Sequence, residues 1–195
     1  MRKIIGIALC VLLLAACSTT KVGLKYQSAD AAKTPMPATS KAVRIAAFVD
    51  KRTEPPNWIG AIRGTYGNPI KNLETEQPVA TIVQKDFVDA LQARGIGESA
   101  TAQTQIAGVV LKLDCNQVFR REANVEIEIY VVDTATGQST FKQTYSTSNV
   151  DGSVVALDIG IFGSVEVLRA LTEKTLRETI DKALDDPALN AALKP

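Results

Sequence analysis

Two runs of alternating residues in the middle of the chain constrain its fold more than any other feature. Residues 107–114 and 125–132 each place an apolar side chain at every second position. Successive side chains of a β-strand point to opposite faces, so this pattern predicts two strands. The sequence Asp-Thr-Ala-Thr-Gly, which ends at Gly137, predicts a hairpin turn before a third strand over about 139–148. Together the three segments predict an antiparallel meander.

Helical patterns flank this meander on both sides. Apolar residues recur at helical spacing over 79–91, where Pro78 fits the first turn and Gly95 fits the end. A second apolar stripe at helical spacing follows an N-cap serine over 164–184. Residues 43–49 are apolar almost throughout, which predicts a first strand that is covered on both faces.

The order of these elements is β-α-β-β-β-α. A βαβ unit is parallel and right-handed in nearly all proteins, so the first strand should lie parallel to the strand that follows the helix. The sequence therefore predicts an α/β fold, a two-layer sandwich with a mixed sheet and both long helices on one face. With 195 residues, 46% of them apolar, the chain has enough material for one such domain, which we place at 43–195.

The N-terminus has the features of an export signal. Met1 is followed by Arg and Lys, and residues 4–16 form an apolar run. This run is shorter than the roughly 20 residues of a membrane span and suits a signal peptide. It ends in Leu-Ala-Ala-Cys at Cys17, which resembles the lipobox of bacterial lipoprotein precursors. The resemblance implies that residues 1–16 are removed and that Cys17 carries the lipid.

A lipidated cysteine predicts a stable membrane attachment, because each buried methylene group contributes about 0.8 kcal/mol. Similar lipoproteins with Asp after the cysteine tend to stay in the inner membrane, so Ser18 favours the periplasmic face of the outer membrane. Residues 17–42 are rich in Ser, Thr, Ala, Lys and Pro, and we interpret them as the lipidated cysteine and a tether. Within this tether, residues 22–26 alternate and could add an edge strand.

The composition argues against several classes of function. The chain has no histidine, which excludes His-based acid–base catalysis, Ser-His and Cys-His pairs, and most zinc sites. Lys and Arg number 22 against 21 Asp and Glu, so no basic excess indicates a nucleic-acid partner. We therefore expect no enzymatic activity, no metal and no cofactor.

Two further features have a functional and a structural interpretation. Cys115 lies in an alternating pattern that predicts a small buried residue, and a reactive thiol is the alternative. Glu126 and Glu128 share one strand face, where they would form either a hydrolytic dyad or cross-strand ion pairs with Lys112 and Lys142. We favour the structural interpretation in both cases.

A long segment, residues 50–76, matches neither helix nor strand, and we predict a loop. It contains Arg52, Trp58, Arg63 and Tyr66, and Trp58 is the only tryptophan of the chain. Trp, Tyr and Arg dominate the hot spots of protein interfaces, so these four residues are our candidate interaction loop.

Three questions about these segments stay open at this point. Trp58 either anchors a partner or tucks under the sheet. Arg52 either binds a ligand or forms an ion pair with Asp50 that anchors the loop. Residues 150–163 are too apolar for a free loop, so they form either a buried crossover or an exposed patch for a partner.

The combined pattern resembles the YajG-like lipoproteins, which are envelope proteins of Gram-negative bacteria. The matching pieces are the lipobox at Cys17, the strand ending in Asp-x-Arg at Arg52, the helix ending in Phe-x-x-Ala-Leu-x-x-x-Gly at Gly95, the meander and the C-terminal helix. The resemblance implies an envelope location and supplies no catalytic residue. We expect a membrane-anchored lipoprotein that acts as a non-enzymatic protein-interaction module on another envelope protein. The alternative is an auxiliary lipoprotein of an envelope transport system that binds lipid or another small ligand.

Overall fold

A computed structural model describes residues 18–26, 42–152 and 164–193 of the chain. The predicted signal peptide and the lipid acceptor Cys17 lie outside the described residues. The same holds for most of the tether and for 153–163, which belong to the apolar segment discussed above.

The described residues form nine strands and three helices. The strands are β1 (Ser18–Lys21), β2 (Ala42–Ile45), β3 (Val49–Asp50), β4 (Trp58–Arg63), β5 (Pro69–Glu74), β6 (Gly97–Glu98), β7 (Thr104–Gln117), β8 (Arg121–Asp133) and β9 (Ser139–Asp151). The helices are α1 (Val79–Ala93), α2 (Val165–Leu184) and α3 (Pro187–Ala192).

Strand β7 organises the sheet. Along one edge it pairs antiparallel with β8, which pairs antiparallel with β9, as the predicted meander requires. Along its other edge it pairs in parallel with three short strands in succession, β2, β3 and β4. Strand β5 extends the sheet beyond β4, β1 lies on the outer side of β5, and β6 pairs with β2.

Both long helices pack on one face of this sheet, as predicted. Helix α1 contacts β3 and β7, helix α2 contacts β7, β8 and β9, and the two helices contact each other. The apolar residues at alternate positions of β8, from Ala123 to Val131, are buried beneath them. The Ser164 hydroxyl accepts a hydrogen bond from the backbone N–H of Val167 and caps α2. The α/β sandwich with a mixed sheet is therefore confirmed.

The first predicted strand differs from its prediction. It is divided into β2 and β3, and only its Val43 and Phe48 side chains are buried, while Val49 is 48% exposed. The helices cover a single face of the sheet, so a strand buried on both faces was the wrong expectation. An apolar side chain such as Val49 is left on the uncovered face.

The segment 50–76, predicted as a loop, contains a β-hairpin formed by β4 and β5. The register shifts between Trp58 and Gly60 and again between Ile62 and Arg63. Four consecutive residues of β4, from Ile59 to Ile62, are buried, so the period of two is lost. This explains why the hairpin has no alternating signature.

The beginning of the predicted tether also belongs to the domain. Strand β1 pairs in parallel with β5, and the N–H of Val22 donates to the carbonyl of Glu74 at 2.8 Å. Val22 and Leu24 are buried in the main core. An edge strand does form here, but it covers Ser18–Lys21 instead of 22–26.

Candidate functional site

Arg52 fixes the chain between β3 and the hairpin. Its side chain is 1% exposed, and its Nε and Nη2 atoms donate to the two carboxylate oxygens of Asp50 at 3.0 and 2.9 Å. Nη1 donates to the carbonyls of Trp58 and Leu113 at 2.8 and 3.1 Å, and Nη2 also donates to the carbonyl of Pro56 at 3.1 Å. A guanidinium has five N–H donors, so this arrangement leaves none for a ligand.

The carboxyl of Asp50 is held in its charged form by this contact. Burial favours a higher pKa for the group, but hydrogen bonds from the Arg52 side chain and backbone N–H outweigh it, and the pKa lies below its ordinary value. The anchoring ion pair is therefore the role that the geometry supports for Arg52.

The other three residues of the candidate loop are not assembled into one surface. Trp58 is half-buried at the base of the hairpin, and Tyr66 is 97% exposed in its turn. The guanidinium of Arg63 is used internally, because Nε donates to Asn116 at 2.9 Å and Nη1 donates to the carbonyl of Gly67 at 3.1 Å. A strand rises about 3.3 Å per residue, so the length of β4, roughly 17 Å, separates Trp58 from the turn.

One end of the sheet collects exposed apolar side chains instead. A single row of backbone partners crosses six strands near this end, and it runs Ser18, Lys71, Ile62, Gln117, Arg121, Asp151. The turn of the β4–β5 hairpin and the turn between β7 and β8 lie just beyond the row. We call this part of the molecule the turn end. Tyr66 and Phe119 project from these two turns, and Val150 lies beside Asp151; Phe119 is 51% exposed and Val150 is 55% exposed.

A groove of about 420 Å³ lies between residues 21–26 and helix α1. Its wall includes Asp86, which is only 3% exposed and accepts a hydrogen bond from the backbone N–H of Tyr26. Burial raises the pKa of this carboxyl to about 7. Sequence reasoning missed Asp86, although its position seven residues after Val79 placed a carboxylate on the apolar stripe of α1.

Cys115 is fully buried, and burial raises the pKa of its thiol to about 12, which agrees with the structural interpretation. Within the described ranges, no group of three or more His, Cys, Asp or Glu residues is placed to hold a metal ion.

The two glutamates of β8 are parts of a charged sheet surface. Glu128 accepts a hydrogen bond from the Tyr130 hydroxyl, which together with Lys142 Nζ at 3.1 Å holds its pKa below the ordinary value. The predicted cross-strand pair of Glu128 and Lys142 is thus confirmed. Glu126 faces Lys112 in the register, but Lys112 Nζ lies 3.6 Å from Asp114.

Helix length gives one further result. In the parts of the chain that the structure covers, no helix is both long enough and apolar enough to cross a membrane.

Comparisons with known proteins identify the class of fold. No family model matches the chain, and no curated protein has a significant match to its sequence. A structure from Xanthomonas campestris, a protein assigned to the DUF330 family, matches with a TM-score of 0.55 at 13% identity and covers 90% of this chain and 96% of its own. An uncharacterised protein matches with a TM-score of 0.54 at 8% identity, over 86% of this chain and 95% of its own.

The PelC dodecamer from Paraburkholderia phytofirmans matches more distantly, with a TM-score of 0.44 at 11% identity over 75% of this chain and 91% of that one. At these identities the first two matches show only that the chain shares its α/β fold with the Xanthomonas campestris protein and with the uncharacterised protein. The membership in the YajG-like family stays a prediction.

Proposed function

We propose that this protein is a lipoprotein of the bacterial envelope, anchored through Cys17 on the periplasmic face of the outer membrane, and that it binds another envelope protein without catalysing a reaction. One observation carries the anchor. The first strand that the structure describes, Ser18–Lys21, directly follows the cysteine of the lipobox in the sequence. Cleavage before Cys17 leaves β1 whole, whereas a cut even a few residues further on removes part of the sheet.

Replacement of Cys17 by Ala tests the anchor. We expect the native protein to fractionate with membranes and the Cys17→Ala protein to be released into the periplasmic fraction. The conservative Ser18→Ala change keeps the cysteine and serves as the matched control. Equal membrane association of the Cys17→Ala and native proteins would contradict the lipid anchor.

The uncovered face of the sheet supports the interaction role. The helices α1 and α2 lie on the opposite face, while Val49 and Leu111 are exposed on neighbouring strands. The partly buried Val109 is the register partner of Val49. Exposed apolar patches on a soluble surface are typical of sites that bind another protein.

A photo-crosslinking amino acid tests this surface in cells. Placed at Val49, it should give one dominant adduct of defined mass. Placed at Lys174 on the outer side of α2, where the lysine is already exposed, it should give none. Equal labelling patterns from the two positions would contradict docking on the sheet face.

The groove beside Asp86 supports a second candidate, a lipoprotein that binds a small ligand. Its volume lies within the range of about 300–1,000 Å³ that is usual for ligand sites. Native mass spectrometry of the protein extracted from membranes separates the two functions. A bound molecule that is lost when Ile82 at the groove is replaced by Trp favours the second candidate, and an unliganded mass favours the first.

A further inference from the structure

We infer that the turn end of the sheet rests against the bilayer, with Tyr66 and Phe119 in contact with the lipid headgroups. This inference rests on the proposed lipidation of Cys17 and adds the orientation of the domain. The occupant of the surface is the phospholipid headgroup region of the membrane that holds the anchor.

The position of Ser18 gives the first argument. Ser18 belongs to the row of backbone partners that borders the turn end. Consecutive Cα atoms are about 3.8 Å apart, so a lipid on Cys17 is attached one residue away from this row. The opposite end of the sheet, at the turn between β8 and β9, lies roughly 40 Å away along β8.

The segment between Cys17 and the folded core is also short, and it is held by strand pairing. Strand β1 is paired with β5 from its first residue, and Lys21 Nζ lies 2.7 Å from the carboxylate of Glu74. The next residues are buried at Val22 and Leu24. The domain therefore has no flexible stretch between Ser18 and the core that would let its far end reach the bilayer.

The exposed side chains at the two ends of the sheet also differ, and the difference favours the turn end as the end next to the membrane. The turn end exposes Tyr66, Phe119 and Val150, and aromatic side chains are enriched at the headgroup level of membranes. The opposite end has the turn Asp-Thr-Ala-Thr-Gly-Gln over 133–138, which is polar and has no aromatic residue. An end with exposed aromatic side chains next to the proposed anchor, and a distant end whose turn has none, fit one orientation of the domain.

Charge contributes little to the contact. At the turn end, Arg120 pairs with Glu122, and Arg121 lies 3.7 Å from Asp151. Local carboxylates thus balance part of the basic charge. We expect the contact to depend on the aromatic side chains and to change little when anionic lipid is replaced by zwitterionic lipid.

The test uses the full-length lipidated protein in vesicles that contain no other protein. Tyr66→Cys and Thr136→Cys variants are labelled with a polarity-sensitive maleimide fluorophore, and the buried Cys115 is protected from the reagent. The vesicles consist of phosphatidylethanolamine and phosphatidylglycerol with a fraction of headgroup spin-labelled lipid. We expect the spin label to reduce emission from position 66 and to leave emission from position 136 unchanged.

Each outcome bears on a distinct part of the argument. Quenching at position 66 alone supports the orientation, and Phe119→Cys, as a second labelled site, should behave in the same way. Flotation of the protein with vesicles but no quenching at either turn overturns the orientation and leaves the anchor intact, as does stronger quenching at position 136. Failure of the native protein to float overturns the proposed anchor together with the inference.

Discussion

Gly60 lies against the backbone of Cys115 on the neighbouring strand, where a Cβ atom on Gly60 would be 1.9 Å from the Cys115 carbonyl oxygen. A contact this short cannot be relieved by rotating a side chain, so β4 and β7 would have to separate. We expect Gly60→Ala to lower the free energy of unfolding by about 3 kcal/mol or more. Urea denaturation of the Cys17→Ala protein measures this. Gly23→Ala is the control, because nothing lies within 4 Å of its added methyl group; equal stability of the two variants would contradict the packing.

Replacement of Arg52 should destabilise the domain strongly, because its buried guanidinium donates to Asp50 and to three backbone carbonyls. Arg52→Ala leaves the Asp50 carboxylate and three backbone carbonyls without their donor, and we expect a loss of about 3–5 kcal/mol. Arg52→Lys should restore only part of this, since an ammonium group cannot span the same fork of acceptors. Lys85→Ala, which breaks the exposed pair with Asp89, should cost less than about 1 kcal/mol. If the melting temperature of the Arg52→Ala variant equals that of the native domain, the anchoring role of Arg52 is wrong.

Tyr66 and Trp58 should differ in how much each side chain contributes to the stability of the domain. Tyr66→Ala should leave the melting temperature unchanged because the side chain is almost fully exposed. Trp58→Ala should cost about 1–3 kcal/mol, less than the roughly 3–5 kcal/mol of a fully buried aromatic residue, because it is half-buried. Calorimetry of both variants tests this pair. A large loss for Tyr66→Ala would show that the hairpin turn contributes to the core.

Asp86 should make stability depend on pH. Burial raises its folded pKa to about 7, while the unfolded carboxyl keeps an ordinary pKa near 4. Between these values the folded chain binds more protons than the unfolded chain, so stability falls as pH rises through this window, by at most about 1.4 kcal/mol per pH unit. Lys85, Asp89 and Glu173 also act on this carboxyl and set its remaining environment.

The Asp86→Asn variant isolates this contribution. It preserves an oxygen that accepts the Tyr26 N–H, and it does not titrate. The difference in unfolding free energy between the native and variant side chains should therefore change from pH 5 to pH 8. A difference that stays constant across this range would show that Asp86 keeps an ordinary pKa.

The predictable part of the fold was the part with uninterrupted periodicity. From Val125 to Val131, every second residue of β8 faces the helices and the others face solvent, so local sequence is sufficient to predict the strand. The same holds for α1 and α2, whose buried residues recur at helical spacing.

The missed elements depend on distant pairing. The register of β4 shifts at both of its ends, and all four residues from Ile59 to Ile62 are buried, so this strand has no alternating signal. Strand β1 has the polar sequence Ser-Thr-Thr-Lys and is held by β5, more than 50 residues later. Propensity is a weak guide for such edge strands, because contacts with neighbouring strands decide them.

The sequence predicted individual residues of the candidate site but not their arrangement in space. The Asp50–Arg52 pair was one of two interpretations of a short motif, and the geometry selects it. The turn end could not be predicted, since it exists only because the strand pairings place Ser18 in the same row as Gln117 and Asp151.

The place of β1 at the edge of the sheet also determines how the domain responds to mechanical load. A pull on a chain held at Cys17 acts along the axis of β1, parallel to β5. In this direction the hydrogen bonds between Ser18–Lys21 and β5 are strained together in shear, and the bond between Val22 and Glu74 shares the load. Bonds that are strained together share the force, so with the proposed anchor at Cys17 we expect β1 to resist detachment from β5.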